Sequence, residues 1–300
     1  MKEIIVSASR RTDLVGWYPE RLVKKIYCIK EEVEKDPEKI YYGTVLWTRF
    51  PGNILNVKPL REFVKNEKQP IIINFTLTGL GGTKWEPRSP PVKKAIDDLK
   101  QVIKLLGNEP EKIMWRFDPL LKIKDFMETY ERFEYISEKI AKLGIKKCII
   151  SFPAYVSLKG NLINRYKRFG ILLWTKEEKI KLLRLMVDKA EKLGLSLESC
   201  NQPSLTKWFP QIKPAQCINK ELLERFSPLK IKLELPKDPS QRRFCNCPKS
   251  IDIGSYIEEP CGSGCVYCYS RAGGLEGKMS WEEKFKQLYI PAEYNQKGGD

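Results

Sequence analysis

The sequence predicts an α/β fold, a six-stranded partial (β/α) barrel of the TIM type with a cysteine-rich C-terminal extension. Three observations lead to this prediction. Short β-branched runs alternate with longer helical patterns, which is typical of consecutive βαβ units. Each predicted strand ends in polar or charged residues, at the edge where βα barrels build their sites, whereas a doubly wound sheet concentrates them at switch points. After residue 200 the composition changes to prolines, lysines and cysteines.

The individual elements follow from hydrophobic periodicity and turn signals. Six runs have the length and composition of buried strands, at residues 4–7, 44–48, 71–76, 113–117, 148–152 and 196–199. Helical patterns cover residues 18–35, 91–106, 125–143 and 176–193, with shorter ones at 219–226 and 280–288. Thr175 and Glu178 form a capping box before the fourth helix, and Gly144 and Gly194 are expected to end two helices. We therefore predict a barrel over residues 1–200 and an extension over residues 201–300 that packs on it.

The residue types present exclude several classes of protein. The 300-residue chain contains no histidine, which excludes Ser-His and Cys-His catalysis, Cys2His2 fingers and the usual catalytic zinc sites. No run of eighteen apolar residues is present, and the N-terminal apolar stretch is too short for a signal peptide. We therefore expect a soluble, cytoplasmic protein with no membrane partner, whose crowded cysteines bind metal rather than form disulfides.

A CxxxCxxC motif near the C-terminus is formed by Cys261, Cys265 and Cys268. Three thiolates at this spacing can bind three irons of a cubane cluster, and Gly262 and Gly264 let the backbone wrap closely around it. The fourth iron is then left without a protein ligand, and an open position is what a catalytic metal centre needs. The alternative is a zinc knuckle in which Cys245 or Cys247 supplies the fourth thiolate.

This motif, with Tyr267 just before its last cysteine, resembles the signature of radical S-adenosylmethionine (SAM) enzymes. The resemblance implies that the three cysteines hold a [4Fe–4S] cluster whose open iron binds SAM. It further implies cleavage of SAM to a 5′-deoxyadenosyl radical, which abstracts hydrogen from the substrate, and a six-stranded partial barrel as the core. SAM and a reductase or ferredoxin-like electron donor are the implied partners. The wording GCVYCY is similar to that of spore photoproduct lyase.

The position of the motif departs from that superfamily. Radical SAM enzymes carry the cysteine loop after the first strand, but here residues 7–13 contain no cysteine. The chain also has no GGE-type motif for the SAM amino group. Over nearly its whole length it is similar to a group of uncharacterised prokaryotic proteins that share SASRRTD, WT, TLTG, WRxDP, a CxC pair and DIG-Y before the final cysteines.

Four further cysteines make a second candidate metal site: Cys200, Cys217, Cys245 and Cys247. Four thiolates would complete an auxiliary [4Fe–4S] cluster or a structural zinc site. The alternative for Cys200 and Cys217 is burial as small hydrophobic residues. We expect Cys28, in a helix, and Cys148, in a strand, to pack in the core.

Polar residues at the strand ends are candidates for binding and catalysis. The candidate catalytic residues are Arg10, Arg11, Asp13, Arg116 and Asp118. The candidate cofactor-binding residues are Asn74, Thr76, Thr78 and Glu198. Such groups suit a SAM carboxylate or a substrate phosphate, and the alternative is a buried ion-pair network.

The formal charge of +16 is concentrated in two segments, residues 155–169 and 201–250. Basic segments interleaved with aromatic residues suit DNA or RNA, while the alternative is a lysine-rich surface of the kind found in heat-adapted proteins. Our first hypothesis is therefore a radical SAM enzyme that repairs or modifies nucleic acid. The second is a zinc-containing nucleic-acid-binding protein without catalysis, and the third is an iron–sulfur electron carrier.

Overall fold

The structure, a computed structural model, describes residues 1–153 and 160–268. Its strands are β1 (Lys2–Ala8), β2 (Lys39–Thr48), β3 (Ile71–Thr76), β4 (Ile113–Phe117), β5 (Lys147–Ile150), β6 (Ser196–Ser199), β7 (Lys213–Pro214) and β8 (Ile251–Asp252). The described part of the chain forms one open sheet of these eight strands in the order β7-β6-β5-β4-β3-β2-β1-β8, and every pairing is parallel. The α/β prediction is confirmed.

All six predicted strands are present, and neighbours in sequence are neighbours in the sheet. The order therefore has no reversal of the kind that creates the switch point of a doubly wound sheet. We did not predict β7 and β8 from the sequence; they extend the sheet at its two edges. Each is only two residues long, and β7 contains Pro214, so neither shows a period that could be recognised.

The helices in the described residues are α1 (Leu14–Trp17), α2 (Pro19–Glu34), α3 (Pro51–Asn56), α4 (Lys58–Asn66), α5 (Val92–Leu105), α6 (Phe126–Lys142), α7 (Gly160–Arg168), α8 (Lys176–Leu193), α9 (Pro203–Trp208) and α10 (Lys220–Phe226), with a 3-10 turn at Pro110–Lys112. The five predicted helices that fall in this part of the chain are confirmed. The capping box at Thr175 and the left-handed C-cap at Gly194 are both present in α8. The helix predicted at residues 280–288 lies outside the described residues.

The two faces of the sheet are covered by different parts of the chain. Alternate strand residues such as Val6, Ile73 and Trp115 pack with the helices in the main core. The residues between them, such as Ile72 and Met114, pack with a buried set drawn from residues 200–247. We call this second side of the sheet the inner face, and the period of two along each strand is what separates the two cores.

The cysteine-rich segment therefore contributes strands to the sheet. It adds β7 to one edge and β8 to the other, and residues 215–247 cover the inner face between them. The division into a barrel and an extension at residue 200 stays a prediction. Among the described residues, none of the helices has both the length and the apolar character needed to cross a membrane.

Candidate metal centre

The cysteine loop, residues 261–268, packs against segments that follow β1 and β3. The indole nitrogen of Trp17, in α1, donates a hydrogen bond to Ser263 Oγ at 3.1 Å. Arg88, in the segment after β3, donates from Nη1 to the carbonyl oxygen of Gly262 at 3.0 Å. The carboxyl ends of parallel strands meet at one edge of a sheet, so the loop lies at the edge where βα proteins build their sites.

Two glycines permit this conformation of the cysteine loop. A Cβ atom at Gly262 would lie 2.5 Å from the ring of Trp17, which is closer than carbon atoms approach one another. Gly264 has φ of +71°, in the left-handed region that favours glycine. The sequence-based expectation that these two glycines shape the loop therefore has a specific structural basis in each case.

Tyr267, the aromatic residue of the motif, belongs to a buried polar network. Arg49, directly after β2, donates from Nη1 to Glu86 Oε2 at 2.8 Å and from Nη2 to the Tyr267 hydroxyl oxygen at 2.6 Å. The Tyr267 hydroxyl in turn donates to Glu86 Oε1, which also accepts a hydrogen bond from Thr78 Oγ1 at 2.5 Å. Glu86 is 1% exposed. This network fixes the cysteine loop to the segments after β2 and β3.

Asp13 connects the segment after β1 with the same network. Its carboxylate accepts hydrogen bonds from the backbone N–H of Gly16 and of Arg49, both at 2.8 Å. Burial raises the pKa of Asp13 to about 6, although these hydrogen bonds oppose the shift. Asp13 also lies beside Cys261, and its charge is one cause of the raised pKa of that thiol.

Two thiols of the cysteine loop, those of Cys261 and Cys265, are shifted toward the protonated form. Burial raises the pKa of Cys261 and of Cys265, and the Arg49 guanidinium opposes the shift at Cys265. Metals bind the thiolate, so a bound metal would displace these protons and hold the sulfurs as anions. Arg49 would then place a positive charge next to an anionic group.

The donor set of this loop fits an iron–sulfur cluster. Cys265 interacts electrostatically with both Cys261 and Cys268, so the three sulfurs lie near one another. Within residues 1–153 and 160–268, no three cysteine, aspartate or glutamate side chains lie close enough together to bind one metal ion. Each thiolate of a cubane binds a different iron, so the ligands of a cluster stand farther apart than those of a single ion.

A second thiol group lies on the inner face and consists of Cys200, Cys217, Cys245 and Cys247. All four are buried, with exposures of 7%, 4%, 8% and 2%. Cys217 lies near Cys200 and Cys247, and Cys247 lies near Cys245. The neighbouring Cys247 lowers the pKa of Cys245 to about 7. The structure thus brings together the four cysteines that the sequence grouped.

Arg116 and Asp118, at the end of β4, lie at the second thiol group. Arg116 donates from Nη1 to Cys217 Sγ at 3.0 Å and from Nη2 to the carboxylate of Asp118. The same carboxylate accepts a hydrogen bond from the Ser151 hydroxyl. The guanidinium also lies over the ring of Trp47, 5.0 Å from its centroid. These two residues therefore face the thiols and not the cysteine loop.

Arg10 and Arg11 hold β8 against β1. Arg10 forms ion pairs with Asp238 and Asp252, both at 3.3 Å, and its backbone N–H donates to Asp252 at 2.9 Å. Arg11 donates from Nη1 to the carbonyl oxygen of Gly254 at 3.0 Å. The contacts of both arginines are those expected of a buried ion-pair network, which was the alternative to a ligand-binding role.

The four candidate cofactor-binding residues have different surroundings. Asn74 donates from Nδ2 to the carbonyl oxygen of Cys217 at 2.7 Å, while its buried Oδ1 has no hydrogen-bond partner in the described structure. Thr76 is paired with Arg116 in the β3–β4 register, and Thr78 belongs to the Glu86 network. Glu198 pairs with Lys147 at 3.0 Å, and burial raises the pKa of its carboxyl group.

One family model, with the description Domain of unknown function (DUF1848), matches residues 5–270. The chain belongs to this family. The matched region runs from within β1 to just past Cys268, so strands β2 to β8 and all seven cysteines of the two candidate sites lie within it. A comparison with curated proteins finds no match.

Helix α7 brings part of a basic segment to the cysteine loop of this DUF1848 member. Leu162 and Tyr166 pack in one buried cluster with Cys265, Val266 and Tyr267. Arg165 donates from Nη1 to the carbonyl oxygens of Val266 and Cys268, at 3.4 and 3.3 Å. Lys167 and Arg168 follow on the exposed side. Residues 155–159 of the predicted basic segment 155–169 lie outside the described residues.

Sequence reasoning missed the ion pair of Arg49 and Glu86 and misjudged Cys28. The position of Arg49 directly after a strand was a usable signal, whereas Glu86 lies in a long connection and gave none. Cys28 was expected in the core, but it is exposed on α2, because the apolar face of that helix is formed by Leu22, Val23, Ile26 and Val33. Cys148 is buried in the main core, as predicted.

Proposed function

We propose that this protein is a radical SAM enzyme whose [4Fe–4S] cluster is held by Cys261, Cys265 and Cys268. The observation that carries the proposal is the packing of the cysteine loop against the segments after β1, β2 and β3, at the carboxyl edge of the sheet. When bound, such a cluster supplies the electron that cleaves SAM and starts hydrogen abstraction. That electron comes from a reductase or ferredoxin-like donor, which we propose as a partner.

The surroundings of Cys261 account for the unusual position of the motif in the sequence. Radical SAM enzymes have the cysteine loop directly after the first strand. Here Cys261 lies beside Asp13, in the segment that follows β1. The thiols of the loop therefore reach the same neighbourhood from the other end of the chain, which supports the proposal.

We take the open sheet to be a partial barrel, with SAM and substrate bound toward its inner face. A consecutive, fully parallel strand order supports this assignment. The buried Oδ1 of Asn74 supports a ligand there, because buried polar atoms normally have a hydrogen-bond partner and an amino group would supply the missing donor. Arg116 and Asp118 lie on the same face, beside the second thiol group.

Within this proposal the Arg49, Glu86 and Tyr267 network positions the cysteine loop. Arg49 is held by two hydrogen bonds and by the opposite charge of Glu86, so its guanidinium stays beside Cys265. A fixed positive charge stabilises anionic sulfur, so no counter-ion from solvent is required. These side chains are positioning residues, because none of them supplies a ligand.

We further propose nucleic acid as the substrate class. The exposed Lys167 and Arg168 lie on a helix that contacts the cysteine loop, so a polyanion bound there would be next to the reacting centre. The basic segment 201–250, part of which covers the inner face, supplies ten further basic side chains.

Anaerobic purification tests the enzymatic proposal. The protein should be brown, contain iron and sulfide, bleach with dithionite and form 5′-deoxyadenosine when SAM is added. Cys265→Ser should abolish 5′-deoxyadenosine formation, and Cys28→Ser, a substitution at an exposed cysteine outside both groups, should leave it unchanged. A colourless protein with one zinc per chain and no response to SAM would instead support the zinc-binding alternative.

A further inference from the structure

The second thiol group is assembled from distant parts of the chain. Cys200 directly follows β6, Cys217 follows β7, and Cys245 and Cys247 precede β8. They nevertheless belong to one buried cluster on the inner face. Four cysteines brought together by tertiary structure require an explanation beyond the tendency of single cysteines to be buried.

Cys148 shows what ordinary burial of a cysteine looks like in this protein. It lies in the main core, on the side of the sheet that the helices cover, among aliphatic and aromatic side chains. Among the described residues, no contact of Cys148 with another cysteine is seen. The second thiol group differs because its four members share one buried cluster and two of them accept hydrogen bonds from arginines.

Two guanidinium groups donate hydrogen bonds to sulfurs of this group. Arg116 Nη1 lies 3.0 Å from Cys217 Sγ, and Arg242 Nη2 lies 3.3 Å from Cys200 Sγ. A neutral thiol is a weak acceptor, whereas a metal-bound thiolate is an anion that pairs well with guanidinium. The positive charges are placed where the bound sulfurs would carry negative charge.

We infer that Cys200, Cys217, Cys245 and Cys247 hold a second iron–sulfur cluster, in which every iron of a cubane has a protein thiolate. No iron is left open, so this cluster does not bind SAM and serves electron transfer or the structure of the inner face. Among the described residues, no three cysteine, aspartate or glutamate side chains lie close enough together to bind one metal ion, and the thiolates of a cubane stand farther apart than those of a single zinc ion.

The two sites are separate in the structure. Cys265 packs with Leu80, Leu121 and Leu162, whereas the second thiol group packs with Ile72 and Met114 on the inner face. The inference therefore does not rest on the proposed function, since the second cluster needs neither SAM nor the cysteine loop.

Cluster counting after anaerobic reconstitution with iron and sulfide tests the inference. The wild type should bind about eight irons per chain, and two variants should each bind about four. One variant replaces the cysteine loop ligands (Cys261→Ser, Cys265→Ser and Cys268→Ser), and the other is Cys217→Ser with Cys247→Ser. Cys148→Ser is the matched control for a buried cysteine and should bind as much iron as the wild type.

Electron paramagnetic resonance of the dithionite-reduced variants separates the two sites. The loop variant should retain a cluster signal that does not change with SAM, and the Cys217/Cys247 variant should retain one that does. A loop variant without iron, a Cys217/Cys247 variant with the full iron content, or one zinc in place of iron would overturn the inference. A signal in the Cys217/Cys247 variant that ignores SAM would overturn the proposed function alone. Circular dichroism verifies that each variant is folded.

Discussion

Arg116 joins a sulfur to a carboxylate: one guanidinium nitrogen lies 3.0 Å from Cys217 Sγ and another donates to Asp118. Both charged side chains are 13% exposed. Burial alone would lower the pKa of Arg116, but the adjacent Cys217 and Asp118 raise it above its ordinary value. The side chain is therefore a permanent positive charge on the inner face, and its removal leaves the carboxylate of Asp118 unpaired.

Arg116→Met should lower the free energy of unfolding by about 3 kcal/mol, because a buried carboxylate loses its cation. Adding Asp118→Leu should restore most of this loss, since no unpaired charge then remains. Urea denaturation of the metal-free protein measures both values. Arg225→Met is the control, because Arg225 pairs with Glu111 at the surface and its loss should cost less than about 1 kcal/mol. Equal costs at the two arginines would contradict the prediction.

Tyr267→Phe should lower the free energy of unfolding by about 1–2 kcal/mol. The change removes the hydroxyl that accepts from Arg49 and donates to Glu86, while the ring still fills the same buried space. Thermal unfolding measures the effect. Tyr130→Phe is the matched control, since its hydroxyl contacts Glu134 on the surface of α6 and its loss should have almost no effect. A Tyr267 variant as stable as the Tyr130 variant would argue against the network.

The stability that Glu178 contributes at the start of α8 should decrease at low pH. Burial raises the pKa of Glu178, but hydrogen bonds from Lys122 and the Thr175 N–H outweigh it, so the folded-state pKa is lower than the ordinary value of 4.5. The native state therefore binds its proton more weakly than the unfolded state. The stabilisation, about 1 kcal/mol, is present above the unfolded-state pKa and is lost as the pH falls through the folded-state pKa.

Glu178→Gln tests this pH dependence. The stability difference between the wild type and the variant should shrink between about pH 6 and pH 3, as followed by urea denaturation at each pH. Glu177→Gln, one residue earlier and outside the capping box, is the control and should give a smaller, less pH-dependent difference. A difference at Glu178 that grows on acidification would show that the sign is wrong.

Lys167 and Arg168 should contact the phosphates of a bound nucleic acid. Replacing both with alanine should weaken binding to a DNA duplex and reduce the magnitude of the slope of log K against log salt by about 2. Fluorescence anisotropy over a salt series measures the slope. Lys181→Ala with Arg184→Ala removes the same exposed charge from α8 and should leave the slope nearly unchanged. Equal effects of the two double variants would indicate unspecific attraction to a basic protein.

The fold was predictable from the sequence to the extent that local patterns determine it. The six longer strands and the helices between them have clear periods, and the capping box of α8 follows from two residues three positions apart. The strands β7 and β8 were not predictable, because two residues have no period and their pairing depends on the rest of the sheet. Tertiary context alone makes them strands.

The candidate site, like the fold, was predictable from the sequence only where it depends on residues close together in the chain. The CxxxCxxC motif is local, so its spacing and glycines could be interpreted directly. The pairing of Arg49 with Glu86 spans 37 positions, and that of Arg116 with Cys217 spans 101. No single-sequence pattern reports which of many charged residues meet across such separations. Arg10 was selected for its position after β1, but that position also suits a residue that holds β8 in place.

The attachment of β7 to one edge of the sheet and β8 to the other has a consequence for how the protein is made. Ribosomes release the chain from its N-terminus, so the six longer strands emerge before the segment that covers their inner face. Both cysteine groups include residues from that late segment. Under the proposed function, the ligands of both clusters would be complete only after this segment is synthesised, so cluster loading would follow the folding of the six longer strands.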